Sequence, residues 1–301
     1  MAEIEKKDIA FKAGFAVVLG RPNVGKSTFL NRVVGQKVAI VSDKPQTTRR
    51  VIKGIVNRED AQIVFLDTPG LHQPIDSLGK FMMEEVRQGL EGVDLILYMT
   101  VPGTDWEKEE PYLKSALSLS HSPVFLVVNQ IDRFEKEVVE QTLKKLRVFP
   151  FQFEFAISAL TGEGIPQLLD KMVEILPESP AYFPGEIASD LYQREVVAEI
   201  IREKVWNFVY QEVPYGVEVR VEEFKDRGSV LYLRATIFVE KDSQKKIVIG
   251  AGGQMIKKIG KAAREEIELN WGKKTFLDLW VKVEKNWRKR PEVLRRWGYC
   301  H

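Results

Sequence analysis

The 301-residue sequence has one cysteine, Cys300, and three histidines. A single thiol excludes an intrachain disulfide and any cage of cysteines around zinc. Long apolar runs are missing too. Residues 93–101, among the longest, are broken by Asp94 and fall far short of the roughly 18 residues that a membrane-spanning helix needs. The opening MAEIEKKDIA is charged and lacks an apolar core, so no secretory leader is expected. No internal repeat or low-complexity tract is visible. Together these absences predict a cytoplasmic protein held by hydrophobic cores. The composition agrees, with 44% apolar and 29% charged residues. More than one core is expected, since single cores stop growing near ~250–300 residues.

A strong net charge is also lacking: the balance is +2. Its placement is uneven. Residues 181–301 carry 23 Lys and Arg against 18 Asp and Glu, and from Lys241 onward the count is 16 against seven. A basic segment of this kind is either a solvated face or the electrostatic footprint of a nucleic-acid partner.

Through residue 176, short apolar runs at 15–20, 51–56, 63–66, 95–101, 124–128 and 153–157 alternate with amphipathic stretches at 26–34, 78–90, 106–119, 135–146 and 165–176. Most of the runs are continuous, as expected for strands buried on both faces. The alternation predicts an α/β fold, a doubly wound, mostly parallel sheet with its ligands at the carboxyl ends of the strands. Residues 177–190 hold three prolines and a glycine and fit neither periodicity, so they read as a linker. After it come a long amphipathic helix at 191–210, a hairpin of 217–221 and 230–239, a glycine loop opening a helix at 254–269, and a strand at 276–283. This is a smaller α+β domain. The expected division is 1–176, linker 177–190, and 191–301 with a basic tail.

Gly20-Arg-Pro-Asn-Val-Gly25-Lys26-Ser27 fits G-x-x-x-x-G-K-[ST] between a strand and a helix, the context that gives the motif its meaning. Its glycines let backbone N–H groups close on phosphate oxygens, Lys26 reaches the β- and γ-phosphates, and Ser27 ligates Mg²⁺. Asp67-Thr-Pro-Gly70 ends another apolar strand about 40 residues on. Asp67 suits a Mg²⁺-bound water, and the Gly70 N–H suits a γ-phosphate sensor. Base choice falls to Asn129-Gln130-Ile131-Asp132, where Asp132 accepts from guanine N1–H and N2–H₂, which adenine does not offer. Ser158-Ala159-Leu160 ends the next strand and offers a backbone N–H to guanine O6. Each piece is weak alone; four in order, each at a strand's carboxyl end, are specific.

These pieces resemble the translation-factor-related GTPases, in particular the Era family. The resemblance implies a P-loop GTPase that turns GTP into GDP and phosphate with Mg²⁺, and adds Asn23, Val24 and Thr28 to the nucleotide contacts. Residues 44–50, Lys-Pro-Gln-Thr-Thr-Arg-Arg, are similar to that family's first switch, whose threonine caps Mg²⁺ and γ-phosphate. That role falls on Thr48, with Thr47 as the rival; Lys26, Thr48 and Gly70 form the expected catalytic set. Two departures stand out. Gln130 replaces the lysine of N-K-x-D, whose stem packs over the base, and Leu71 stands where many GTPases place a water-orienting glutamine. In related GTPases an asparagine placed like Asn23 helps to hold K⁺; here that role competes with ordinary loop hydrogen bonding.

The second glycine loop, Gly250-Ala251-Gly252-Gly253, lies between a short apolar run and a helix carrying Lys257 and Lys258. Glycines there allow about four nucleotides to lie along the loop with their bases splayed over an apolar groove. The two lysines are placed to neutralise phosphates. The loop and the helix–strand–strand–helix–helix–strand order resemble a type II KH domain, although Ala251 stands where many such loops have lysine. In the tail Trp280 is expected in the core, while Trp287 and Arg288 are the candidates for RNA contact. GTPase domain, linker and KH domain follow the Era order over residues 15–288. The resemblance therefore implies the 3′-terminal region of 16S ribosomal RNA as partner, a role in assembly of the small (30S) subunit, and a monomer. The alternative is a signalling GTPase whose C-terminal domain docks a protein or the cytoplasmic face of the inner membrane.

Overall fold

The computed structural model describes residues 10–41, 47–118, 122–185 and 193–299. Lys44, Pro45 and Gln46 of the expected switch, Cys300 and residues 186–190 of the expected linker lie outside them. Contacts divide the chain into two units. The first comprises Met1–Val38, Val51–His72 and Glu85–Asp190; the second comprises Ala39–Arg50, Gln73–Glu84 and Leu191–His301. Two inner segments, one of them carrying Thr48, thus group with the C-terminal residues, an assignment that local periodicity does not encode.

The first unit holds a six-stranded sheet. Its strands are β1 (Lys12–Leu19), β2 (Ile52–Asn57), β3 (Ala61–Asp67), β4 (Leu95–Thr100), β5 (Val124–Val128) and β6 (Phe153–Ala156), in the order β2-β3-β1-β4-β5-β6. Only β2 runs antiparallel, paired with β3 as a hairpin. Every residue of β3, β4 and β5 is buried, which is why these strands read as unbroken apolar runs. The helices of this unit are α1 (Lys26–Val34), the end of α2 (Ser77–Gly89, whose residues up to Glu84 group with the second unit), α3 (Trp106–Ser118), α4 (Lys136–Leu146) and α5 (Ile165–Ile175). The described start of the expected linker is tied to this unit: the buried Gln62 accepts from the Tyr182 and Phe183 amides at 2.8 and 3.0 Å.

The second unit is built on α6 (Gln193–Phe208), β7 (Glu218–Asp226), β8 (Val230–Val239), α7 (Asp242–Ile249), α8 (Gln254–Trp271), β9 (Lys274–Val283) and α9 (Pro291–Arg296). Its sheet has the order β7-β8-β9, antiparallel then parallel. A parallel neighbour needs a crossover, and α7 and α8 supply it. Alternation along β8 sends Leu231, Leu233, Ala235, Ile237 and Val239 into a core with Ile201 and Val205 of α6 and Ile259, Ala263 and Ile267 of α8. A second cluster joins Trp287, Leu294, Trp297 and Tyr299 to Leu78 and Met82.

The tryptophans correct the sequence expectation. Trp287 is wholly buried, donates Nε1–H to the Gly216 carbonyl at 2.9 Å and packs against Trp297; it is core, not an RNA contact. Trp280 is 55% exposed. It stands on the sheet face opposite the helices, a distinction that a shared period of two cannot make.

Candidate functional site

The first glycine loop leaves β1 and starts α1. Gly20 has φ 146°, and a Cβ there would come within 2.2 Å of the Met99 carbonyl. Gly25 has φ 98° and would place a Cβ 2.3 Å from Asn129 Nδ2. Only glycine fits either place. No side chain caps α1, so its first amides point at whatever anion the loop encloses. Lys26 is 6% exposed and curls over the loop, donating to the Gly20 and Arg21 carbonyls at 3.1 and 3.0 Å. Burial lowers its pKa from 10.5 to about 8, against the opposing pull of Asp67 and Glu109. Phosphate would replace these carbonyl contacts with a full opposite charge, restoring the ammonium.

Ser27 Oγ donates to Asp67 Oδ2 at 2.7 Å, and Asp67 is fully buried at the end of β3. A hydroxyl and a carboxylate in contact are hard oxygen donors of the kind Mg²⁺ prefers. Among the described residues no group of three His, Cys, Asp or Glu side chains is placed to cage a metal. An ion held by Ser27 and Asp67 would complete its shell with phosphate and water, the usual habit of Mg²⁺. Gly70 presses on the P-loop: a Cβ would sit 2.8 Å from Pro22. Leu71 is buried, its amide donating to the Gly20 carbonyl at 3.2 Å. An apolar buried side chain there does not orient water.

The segments expected to read the base are stapled to the first glycine loop. Asn129, 1% exposed, donates Nδ2 to the Val24 carbonyl at 2.8 Å and accepts from the Ala159 amide at 2.9 Å. It thus fixes three loops at once. Asp132 is exposed and accepts from Ser158 Oγ at 2.6 Å. Gln130 takes φ 64° and donates to the Asn23 carbonyl at 3.1 Å, so the residue that replaces lysine still reaches the P-loop. Asn23 is exposed with φ 67°, Thr28 is half-buried in α1, and the exposed Leu160 holds Arg32 through its carbonyl.

Thr48 belongs to the second unit and is buried there with Arg49. Arg49 donates to Glu218 Oε2 at 2.9 Å and to the Val217 and Tyr215 carbonyls at 2.8 and 3.0 Å. Tyr299 donates to the same Glu218 oxygen at 2.6 Å. Arg50 donates to the Trp297 carbonyl at 2.6 Å and lies over the Tyr299 ring, while Arg202 donates to the Thr47 carbonyl. Sequence reading missed this cage, because an arginine beside a threonine gives no signal of a partner about 170 residues away. It also missed Glu109, 1% exposed, which accepts from the Tyr98 hydroxyl at 2.8 Å and faces Arg21 of the P-loop at 3.7 Å. Burial raises the Glu109 pKa. An acid on the apolar face of α3, four residues before Leu113, was the available hint.

The second glycine loop is open where the first is enclosed. Gly250, Gly252 and Gly253 take φ of 74°, 57° and 77°, and nothing lies within 4 Å of a Cβ placed on Gly252 or Gly253. Ala251, Gly252, Lys257 and Lys258 are exposed, and α8 starts at Gly253 without a side-chain cap. Lys258 stands over the Phe208 ring at 4.4 Å. Arg288 is bound to Glu240 at 2.8 Å and Asp76 at 3.5 Å, so its charge is already engaged.

The comparisons with known proteins match these two sites. A family of 50S ribosome-binding GTPases matches residues 15–130, and the KH domain family matches residues 212–288. The GTPase Era of Caldanaerobacter subterraneus subsp. tengcongensis is 47% identical over 97% of this chain and 99% of its own length. That of Geobacter sp. strain M21 is 46% identical over 98% and 99%. A crystal structure of a variant of Aquifex aeolicus Era bound to GDP·AlF4− superposes with a TM-score of 0.92 at 38% identity, covering 97% of this chain and 100% of that one. Another, of Era with MgGDPNP and nucleotides 1506–1542 of 16S ribosomal RNA, gives the same figures.

Proposed function

The chain belongs to the GTPase Era family, and from that premise we propose a GTP-hydrolysing switch that binds the 3′-terminal region of 16S ribosomal RNA. The observation that carries the reading is the presence on one chain of an enclosed phosphate loop stapled to a guanine-reading loop, and of an exposed glycine loop at the start of a long helix.

Hydrolysis is in-line attack of water on the γ-phosphate, giving GDP and phosphate. Lys26 and the amides of the P-loop stabilise charge on the β- and γ-oxygens, and Gly70 N–H faces the γ-phosphate. Ser27 and Asp67, with Thr48 as third candidate, hold Mg²⁺, which supplies charge neutralisation at the phosphates. With Leu71 buried, water positioning falls to other groups, and a K⁺ ion beside Asn23 is one source of added positive charge. Asp132 selects guanine. In the second unit the glycine loop clamps the RNA backbone, with Lys257 and Lys258 as phosphate partners and Ile247, 46% exposed on α7, offering apolar surface. Small-subunit assembly is the process this target implies. The protein- or membrane-docking alternative is not favoured. Among the described residues no helix is long and apolar enough to cross a membrane.

Coupling follows from the chain itself. Thr48 is covalently next to Arg49, and Arg49 is an anchored side chain of the second unit. Moving Thr48 to a γ-phosphate strains or breaks an ion pair that is 5% and 6% exposed, and loss of one partner of such a pair costs about 3–5 kcal/mol. In this reading nucleotide state and second-unit state are linked through Arg49. The test is crosslinking to total RNA with a GTP analogue and with GDP, using wild type and a Gly252→Asp, Gly253→Asp variant. Recovery of the 16S 3′ region by wild type alone supports the reading; equal recovery by a variant that still binds GTP would refute the RNA site.

A further inference from the structure

The glycine loop and its helices lie on one side of the second unit's sheet. The other face is covered at its Phe238 end, where Phe238 packs against the cluster of Trp297, Leu294 and Leu78; beyond that end register places Tyr232 opposite Phe276, Arg234 opposite Asp278, and Thr236 opposite Trp280. Phe276 and Trp280 are 57% and 55% exposed. Tyr232 and Phe276 stack with centroids 5.4 Å apart and planes within 7°. Isolated exposed aromatics are ordinary. Three in register on one strand pair, the outer strand being a sheet edge, make a continuous surface.

Cations frame it. Lys225 and Arg227 lie 5.9 and 5.5 Å from the centre of the Tyr232 ring, Lys225 also pairing with Glu223 at 2.9 Å. Lys274 and Lys282, both exposed, stand at the two ends of β9, Lys282 being 3.5 Å from Glu222. Between the rings the one acid of β9, Asp278, is answered by Arg234 at 3.2 Å, and it accepts from Trp280 Nε1 at 3.1 Å, which fixes the indole. Arg234 also donates to Glu223 at 2.8 Å and to the Tyr232 hydroxyl at 3.0 Å. Flat rings with cations at their margins fit a base between phosphates, since every base has a face to stack and a charge beside it. A lipid surface would favour aliphatic anchors and a wider basic field, and a protein partner would not need rings lying parallel. Phe276 and Trp280 are four residues apart on one strand, roughly 13 Å. That is too far for bases stacked at about 3.4 Å and suits an unpaired segment with splayed bases.

We propose that this sheet face, through Tyr232, Phe276 and Trp280, is a second RNA surface that stacks unpaired bases lying beyond the segment held by the glycine loop. The proposal rests on the RNA reading of the second unit and extends its footprint.

The test compares two RNAs on the full chain carrying a GTP analogue. One is a single strand of about six nucleotides, enough for the four that a KH loop clamps; the other is the 16S segment 1506–1542. In Phe276→Ser, Trp280→Ser, affinity for the long RNA should fall by roughly tenfold for each lost stack. Affinity for the short RNA and basal GTP hydrolysis should stay within twofold. Phe276→Tyr, Trp280→Phe should keep wild-type affinity for both. Unchanged binding of the long RNA, or an equal loss for both RNAs, overturns the platform. So does an unaltered RNA profile with lost binding to phosphatidylglycerol vesicles. If wild type binds neither RNA, the reading of the whole second unit fails; if the short RNA binds normally and the long one is insensitive, only the platform fails.

Discussion

The two glycine loops meet their ligands in opposite ways. Around the first, Lys26, Asp67, Asn129 and Ser158 are each at most 6% exposed and are bonded to one another or to neighbouring backbone. Around the second, Ala251, Gly252, Lys257 and Lys258 face solvent, and nothing lies within 4 Å of a Cβ placed on Gly252 or Gly253. A nucleotide is small and can be enclosed, so its phosphate side is preorganised among buried groups, where each charge counts for more. A nucleic-acid backbone is long, so its site stays an open shelf. Substitutions in the first should therefore act on chemistry and base choice, and those in the second on affinity alone.

The largest effect should come from the enclosed side. Lys26→Ala removes the group proposed to reach the β- and γ-phosphates and should cut single-turnover GTP hydrolysis by roughly a thousandfold or more. A loss under tenfold would mean that the curled lysine is only a loop brace. The next contrast lies within the second unit. Trp287→Ala opens a buried cavity and should cost about 3–5 kcal/mol in denaturant unfolding. Trp280→Ala, on the exposed sheet face, should stay within about 0.5 kcal/mol. Similar costs for the two would undo the assignment of buried and exposed tryptophans.

Asp132→Asn should move preference from GTP toward xanthosine triphosphate by about a hundredfold, read from competition binding; an unaltered preference would remove Asp132 from the base site. The smallest effect is pH-dependent. Lys26 titrates near 8 in the folded protein against 10.5 for the free side chain, so between those values the unfolded chain binds more protons. Stability should then rise with pH across that window, and the cost of burying the charge is fully present only below it. Relative to Lys26→Met, wild type should gain on the order of 2–3 kcal/mol between pH 7.5 and 10.5. A flat difference would mean that the ammonium is not buried.

How much was legible in the sequence follows the same division. The P-loop, Asp67-Thr-Pro-Gly70, Asn129–Asp132 and Ser158–Leu160 are short motifs at strand ends, and buried strands announce themselves as continuous apolar runs. The order of elements in the second unit was legible for the same reason, since its core alternates with period two in β8 and follows helical spacing in α6 and α8. Long-range pairing was not. Arg49 looks like any switch arginine, and its partners Glu218 and Tyr299 lie far along the chain. The tryptophans were mis-sorted because period two says that Trp280 and Val281 face opposite ways, not which of them meets the helices. Trp287 follows the last strand, where no period applies; its burial depends on Gly216 and Trp297 coming together.

The central claim is that the two loops speak through the Thr48–Arg49 segment. The direct measurement is the ratio of dissociation constants for the 16S 3′ RNA with a non-hydrolysable GTP analogue and with GDP, in wild type and in Arg49→Ala. The account predicts a ratio at least about fivefold from unity in wild type, collapsing toward one when Arg49 is removed while GTP binding persists. Equal RNA affinity in both nucleotide states of the wild type would contradict it.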